Sequence, residues 1–132
     1  MNDKDKELLL RDLCGRLPYG VKCEWYRYRS DHELIHRGII ELGKNSKDTN
    51  IFDSWNKFKP YLFPLSSMTE EQKKEYRKVC ELDTEILSKH PMDGTPFPAL
   101  YNSQDYLNAH HFDYRGLIPM GMAIDATGKN IY

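Results

Sequence analysis

Cysteine is scarce: the 132-residue chain has three, Cys14, Cys23 and Cys80. An odd, scattered set without C-x-x-C spacing argues against a disulfide framework or a zinc knuckle and fits thiols in a reducing cytosol. Each falls on the apolar phase of its segment and is expected to be buried. Long hydrophobic runs are missing as well. Leu8-Leu9-Leu10 is the longest clean apolar stretch near the start, far short of a membrane span or a signal h-region. The polar start Met1-Asn2-Asp3-Lys4-Asp5 introduces no cleavable leader, so the expected location is cytoplasmic with no membrane contact. Neither charge dominates: 19 Lys and Arg against 20 Asp and Glu leave a net charge of −1. That balance, with a pI near 6.5, argues against a dedicated nucleic-acid or membrane-surface protein. Also missing are a G-x-x-x-x-G-K-[ST] loop, a G-x-G-x-x-G after a strand and a G-x-S-x-G turn. Nucleotide hydrolysis and serine-hydrolase chemistry therefore have no foothold.

What is present is a globular composition, 39% hydrophobic and 30% charged, on a chain long enough for one core and too short for two. A first helix is predicted over 5–16, with Leu9, Leu10, Leu13, Cys14 and Leu17 on one face and Pro18 ending it. Alternation takes over next: Val21, Cys23 and Trp25 on one side, Lys22 and Glu24 on the other, which reads as a strand. Further strands are expected within 34–42, at 51–55 and at 57–63, with Pro60 pushing the last toward an edge. A polar turn from Gly43 to Asn50 separates them. Overlapping capping boxes at Ser67 and Thr69 open a second helix, with Tyr76, Val79, Cys80, Ile86 and Leu87 as its buried stripe. A proline-punctuated loop runs from Pro91 to Pro98. Ser103 is expected to cap a third helix carrying Tyr106, Leu107 and His110, and Asp113 a further turn through Ile118. The fold class is α+β: one domain over 1–132, an N-terminal helix, a small antiparallel sheet and C-terminal helices.

Three blocks carry a family resemblance: Leu13-Cys14-Gly15-Arg16-Leu17-Pro18-Tyr19-Gly20-Val21-Lys22-Cys23, the stretch from Lys59-Pro60-Tyr61-Leu62 to Thr69-Glu70-Glu71, and the stretch from Tyr106-Leu107-Asn108 to Arg115-Gly116-Leu117-Ile118. Together, under half the chain, they resemble a family of small uncharacterised proteins of gut Bacteroidales genomes, their prophages and their phages. The resemblance implies an accessory protein of a mobile element and brings no activity, cofactor or catalytic residue with it. The stretches 24–56 and 80–102 match it poorly.

Three clusters could carry chemistry. His32-Glu33-Leu34-Ile35-His36 spells H-E-x-x-H. On a helix, His32 and His36 would share a face and bind zinc while Glu33 served as general base. Against that reading, Gly38 weakens a helix, Ile39 and Ile40 favour a strand, and no third ligand stands out downstream. His110-His111 with Asp113 cannot readily chelate one ion, since neighbours on a helix point about 100° apart. They read as a helix–turn–helix junction fixed by Asp113 and Arg115. Glu24-Trp25-Tyr26-Arg27-Tyr28-Arg29 interleaves aromatic and basic residues, with Tyr26 and Tyr28 on one face of a strand and Arg27 and Arg29 on the other. Such a surface can stack nucleic-acid bases, or serve as a protein-binding hot spot rich in Tyr, Trp and Arg.

The preferred reading is a small non-catalytic interaction protein with a protein partner, no metal and no cofactor. Interference with a bacterial defence system is one concrete form of it. Trp25, Tyr26, Arg27, Tyr28, Arg29 and Trp55 are the expected contact residues. The alternatives are a zinc metallohydrolase through His32, Glu33 and His36, and a single-stranded nucleic-acid binder through the 25–29 face.

Overall fold

A long antiparallel hairpin organises the sheet. The computed structural model describes residues 3–43, 56–89 and 102–132. Its elements are α1 (Asp3–Arg16), β1 (Val21–Tyr28), β2 (Leu34–Leu42), β3 (Asn56–Pro64), α2 (Glu70–Ser88), α3 (Asn102–Ala109) and two short strands, β4 (Phe112–Asp113) and β5 (Ile124–Asp125). The class is α+β as expected, with one refinement: the five-stranded sheet is mixed. β1 pairs antiparallel with both β2 and β3, but β3 pairs parallel with β4 and with β5. A two-residue parallel bridge has no alternation to reveal it. The strand expected at 51–55, with Trp55, lies outside the described residues.

Period two places Val21, Cys23 and Trp25 of β1 on the inner face, beside Ile40 and Leu42 of β2 and Phe58 of β3. Leu8, Leu9, Leu13 and Leu17 cover that face from the α1 side, and Leu117, Met122 and Ala123 close it from the C-terminal segment. Pro60 is fully buried at the last position of the β1–β3 ladder. It is tolerated because pairing on the opposite side of β3 begins only at Tyr61.

α1 meets the core through Leu9 and Leu13, with Leu17 just past its end, as expected, but its buried face takes in two charged residues and leaves Cys14 out. Asp12 and Arg16 are both 0% exposed, whereas Cys14 is exposed. Arg16 Nε donates to Asp12 Oδ2 at 2.8 Å and Nη2 donates to Asp12 Oδ1 at 3.1 Å and to the Phe112 carbonyl at 2.7 Å. Neutralising one another at i and i+4, these residues occupy a face that a hydrophobicity count assigns to its apolar neighbours. Cys23 is buried as expected, and burial pushes its thiol well above the ordinary range.

A second, smaller core of Met68, Leu107 and Phe112 sits with Tyr76 and Tyr106 on α2 and α3. Of the two capping registers, the Thr69 one forms: Thr69 N donates to Gln72 Oε1 at 2.9 Å and Gln72 N donates to Thr69 Oγ1 at 3.1 Å. Ser67 Oγ donates instead to the Pro64 carbonyl. Asn102, not Ser103, begins α3, and Ser103 N donates to Asp83 Oδ2 on α2 at 3.0 Å.

Candidate interaction surface

The outer face of the hairpin collects side chains from three strands. Tyr26 lies opposite Arg37 on β2 and Lys57 on β3, and Glu24 lies opposite Ile39 and Lys59. The Arg37 guanidinium sits 5.5 Å from the centroid of the Tyr26 ring, and the Lys57 ammonium 5.1 Å from that of Tyr28. Both are within cation–π range. Arg37 also forms a close ion pair with Glu24. Burial alone would raise the Glu24 carboxyl, but hydrogen bonds from Arg37 and Tyr26 outweigh it and hold the group below its ordinary range. The Tyr26 hydroxyl is raised, first by burial and then by its bond to Glu24. Beside this polar–aromatic row, Ile39 is 56% exposed and Ile35 47% exposed. Aliphatic side chains of that size on an outer strand mark a surface fitted for contact.

The six residues singled out in the sequence are therefore divided. Tyr26 and Tyr28 share the outer face, as alternation required. Trp25 packs toward the core, its ring 4.6 Å from that of His36, and Arg27 is opposite His36 on that same inner side. Arg29 lies past the end of β1, in the turn, where it meets Glu33 at 3.6 Å with both side chains over 60% exposed. An ion pair that open contributes little. Trp55 lies outside the described residues. Sequence reasoning missed Arg37 and Ile39 as members of the face. The signal was available only through register: once Tyr26 is paired with residue 37, both take their places.

The H-E-x-x-H segment spans a turn and a strand. His32 sits in the hairpin turn with φ 66°, and His36 is on β2. Arg29 N donates to the Glu33 carbonyl at 2.8 Å and Glu33 N donates to Asp31 Oδ1 at 3.1 Å, which fixes the turn. The shared helical face on which a zinc reading depends is not formed. Among the described residues, no group of three or more His, Cys, Asp or Glu side chains is placed to hold a metal ion.

The C-terminal histidines end a helix and do not join two. His111 takes the left-handed conformation (φ 62°) just past α3, and its ring stacks on Tyr132 at 3.6 Å between centroids. His110 is exposed and lies 4.2 Å from the Tyr106 ring. The chain then enters β4, not a second helix. Asp113 does cap the turn through Ile118: its Oδ1 accepts from Leu117 N at 2.8 Å and its Oδ2 from Ile118 N at 3.0 Å. Arg115 turns inward to Asp12, 3.3 Å away. A shallow pocket of about 230 Å³ lies between Phe63, Gln72, His110 and Phe112. Comparison with protein-family models, with curated proteins and with solved structures finds no match to this chain. No described helix is long and apolar enough to cross a membrane.

Proposed function

We propose that this protein is a non-catalytic binding module, a cytosolic accessory protein of a phage or prophage, that holds a protein partner on the outer face of its β1–β2 hairpin. The observation that supports this reading is the row of Tyr26 and Tyr28, each with a cation on its ring, beside exposed Ile35 and Ile39. Tyrosine and arginine are among the residue types that dominate protein–protein hot spots, and tyrosine buries large area at low cost in side-chain entropy. A phosphate backbone suits the face less well. The Glu24 carboxylate, ion-paired with Arg37, stands beside Tyr26 and repels phosphate. The resemblance of the three scaffold blocks to Bacteroidales phage and prophage proteins supports the mobile-element setting, with counter-defence as its specific form.

The test begins with affinity purification from the native host and titration of the partner recovered. The double variant Tyr26→Ala, Tyr28→Ala should bind at least about thirtyfold more weakly, the loss of one hot spot of about 2 kcal/mol, while keeping its melting temperature. A submicromolar complex with a single-stranded oligonucleotide that weakens steeply with salt and is lost in the same variant would replace the protein partner by nucleic acid.

A further inference from the structure

The open edge of β2 has its own complementarity, independent of the outer-face reading. Among the described residues β2 has β1 on one side and no strand on the other. It is nine residues long, and contains neither proline nor lysine, the residues that commonly protect such an edge. The single register irregularity lies between Arg27 and Tyr28 of β1 and Leu34, so the stretch from His36 to Leu42 continues without a bulge.

From this we infer that β2 pairs antiparallel with β2 of a second copy of this chain, about a two-fold axis normal to the sheet at Ile39. An axis normal to the sheet sets residues of the same face opposite one another, so only a few registers exist. Centring on Arg37 would oppose two guanidinium groups. Centring on Gly38 would set Arg37 against an isoleucine and Ile35 against a glutamate. Centring on Ile39 sets Arg37 opposite Glu41 of the other copy, and the symmetry repeats that pair with the roles exchanged. It also brings the two Ile39 side chains together, each 56% exposed in the single chain. On the inner face, Gly38 then stands opposite Ile40 of the other copy. Opposite charges and apolar pairs directly across antiparallel strands each stabilise the ladder, and like charges destabilise it. The product is a six-stranded antiparallel arrangement, β3-β1-β2 with its symmetry mate. In it the two tyrosine rows lie on one continuous face, doubling the surface on which the partner reading rests.

The test is sedimentation of the full chain over concentrations up to millimolar, with circular dichroism to verify folding. The expected result is a dimer. Glu41→Arg should weaken it at least about tenfold, because each of the two attractive pairs becomes a repulsive one. Ile39→Lys should also weaken it by placing two ammonium groups at the axis. Mixing Arg37→Glu chains with Glu41→Arg chains should restore a heterodimer, since both cross-strand pairs are then opposite in charge. A wild-type chain that stays monomeric throughout would overturn the proposal and leave the edge to a foreign strand. So would a dimer indifferent to Ile39→Lys and Glu41→Arg, whose contact would lie elsewhere on the molecule.

Discussion

Replacing Asp12 by alanine removes the carboxylate that two guanidinium groups share. Arg16 uses two of its nitrogens on Asp12, at 2.8 and 3.1 Å, and Arg115 Nε lies 3.3 Å from the same side chain. Both Asp12 and Arg16 have fully buried side chains, so water cannot take over the lost bonds. Arg115 is 19% exposed and can swing outward. Arg16 cannot: its remaining partners are the Phe112 carbonyl at 2.7 Å and the face of Tyr114 at 5.2 Å. Its Nη1 is already buried without a hydrogen-bond partner among the described residues. Removing one partner of a buried ion pair costs about 3–5 kcal/mol, because it leaves a charge in a poorly polarisable surrounding. For a small domain with a urea slope of about 2 kcal/mol/M, that loss lowers the unfolding midpoint by about 1.5–2.5 M. The assay is equilibrium urea denaturation followed by far-ultraviolet circular dichroism. Urea is the denaturant to use, since guanidinium chloride also screens charge. Asp12→Asn keeps the shape but turns an amide N–H2 toward Arg16, and should lose more than half as much. The double variant Asp12→Leu, Arg16→Met should lose less than the two single variants summed, since both principal charges leave together. A cost for Asp12→Ala below about 1 kcal/mol with an unchanged slope would refute the reasoning.

Two further expectations concern the scaffold. Asp113→Ala removes the acceptor for both Leu117 N and Ile118 N in a nearly buried site, so thermal or urea unfolding should show a loss of about 2–3 kcal/mol, with partner affinity unchanged in the protein that remains folded. Gly43→Ala should lower the melting temperature or prevent folding: Gly43 has φ +75°, and an added Cβ would lie 2.2 Å from the Leu17 carbonyl oxygen, a backbone atom that cannot move away cheaply.

The elements that carry their own period were legible before any contact was known. Val21, Cys23 and Trp25 alternate, and the structure has them on one side of β1. Thr69 and Gln72 are three residues apart and cap each other. Asp113 stands ahead of an apolar turn and binds its backbone. Each of these is a local interaction, decided within a few residues by geometry that any chain of that sequence would share.

What remained unreadable depends on residues far apart. The buried face of α1 includes Asp12 and Arg16 because Arg115, about a hundred positions later, completes a charged group that local pattern treats as surface. Strands β4 and β5 exist only because β3 offers its edge to two short segments. The outer face shows the same division. Local alternation placed Tyr26 and Tyr28 on one face and Arg27 on the other, while residue type alone suggested one contact surface for the stretch from Trp25 to Arg29; the structure keeps the two faces and puts Arg29 in the turn. Arg37 and Ile39 joined the tyrosines through hairpin register, and Lys57 was fixed over Tyr28 by the pairing of β3. The H-E-x-x-H pattern became turn and strand because Gly38, Ile39 and Ile40 found a ladder opposite Trp25, Glu24 and Cys23. Periodicity determines which side chains share a face. Which faces meet, and which charged groups can be buried, is set by the free energy of contacts that exist only once the chain has closed on itself.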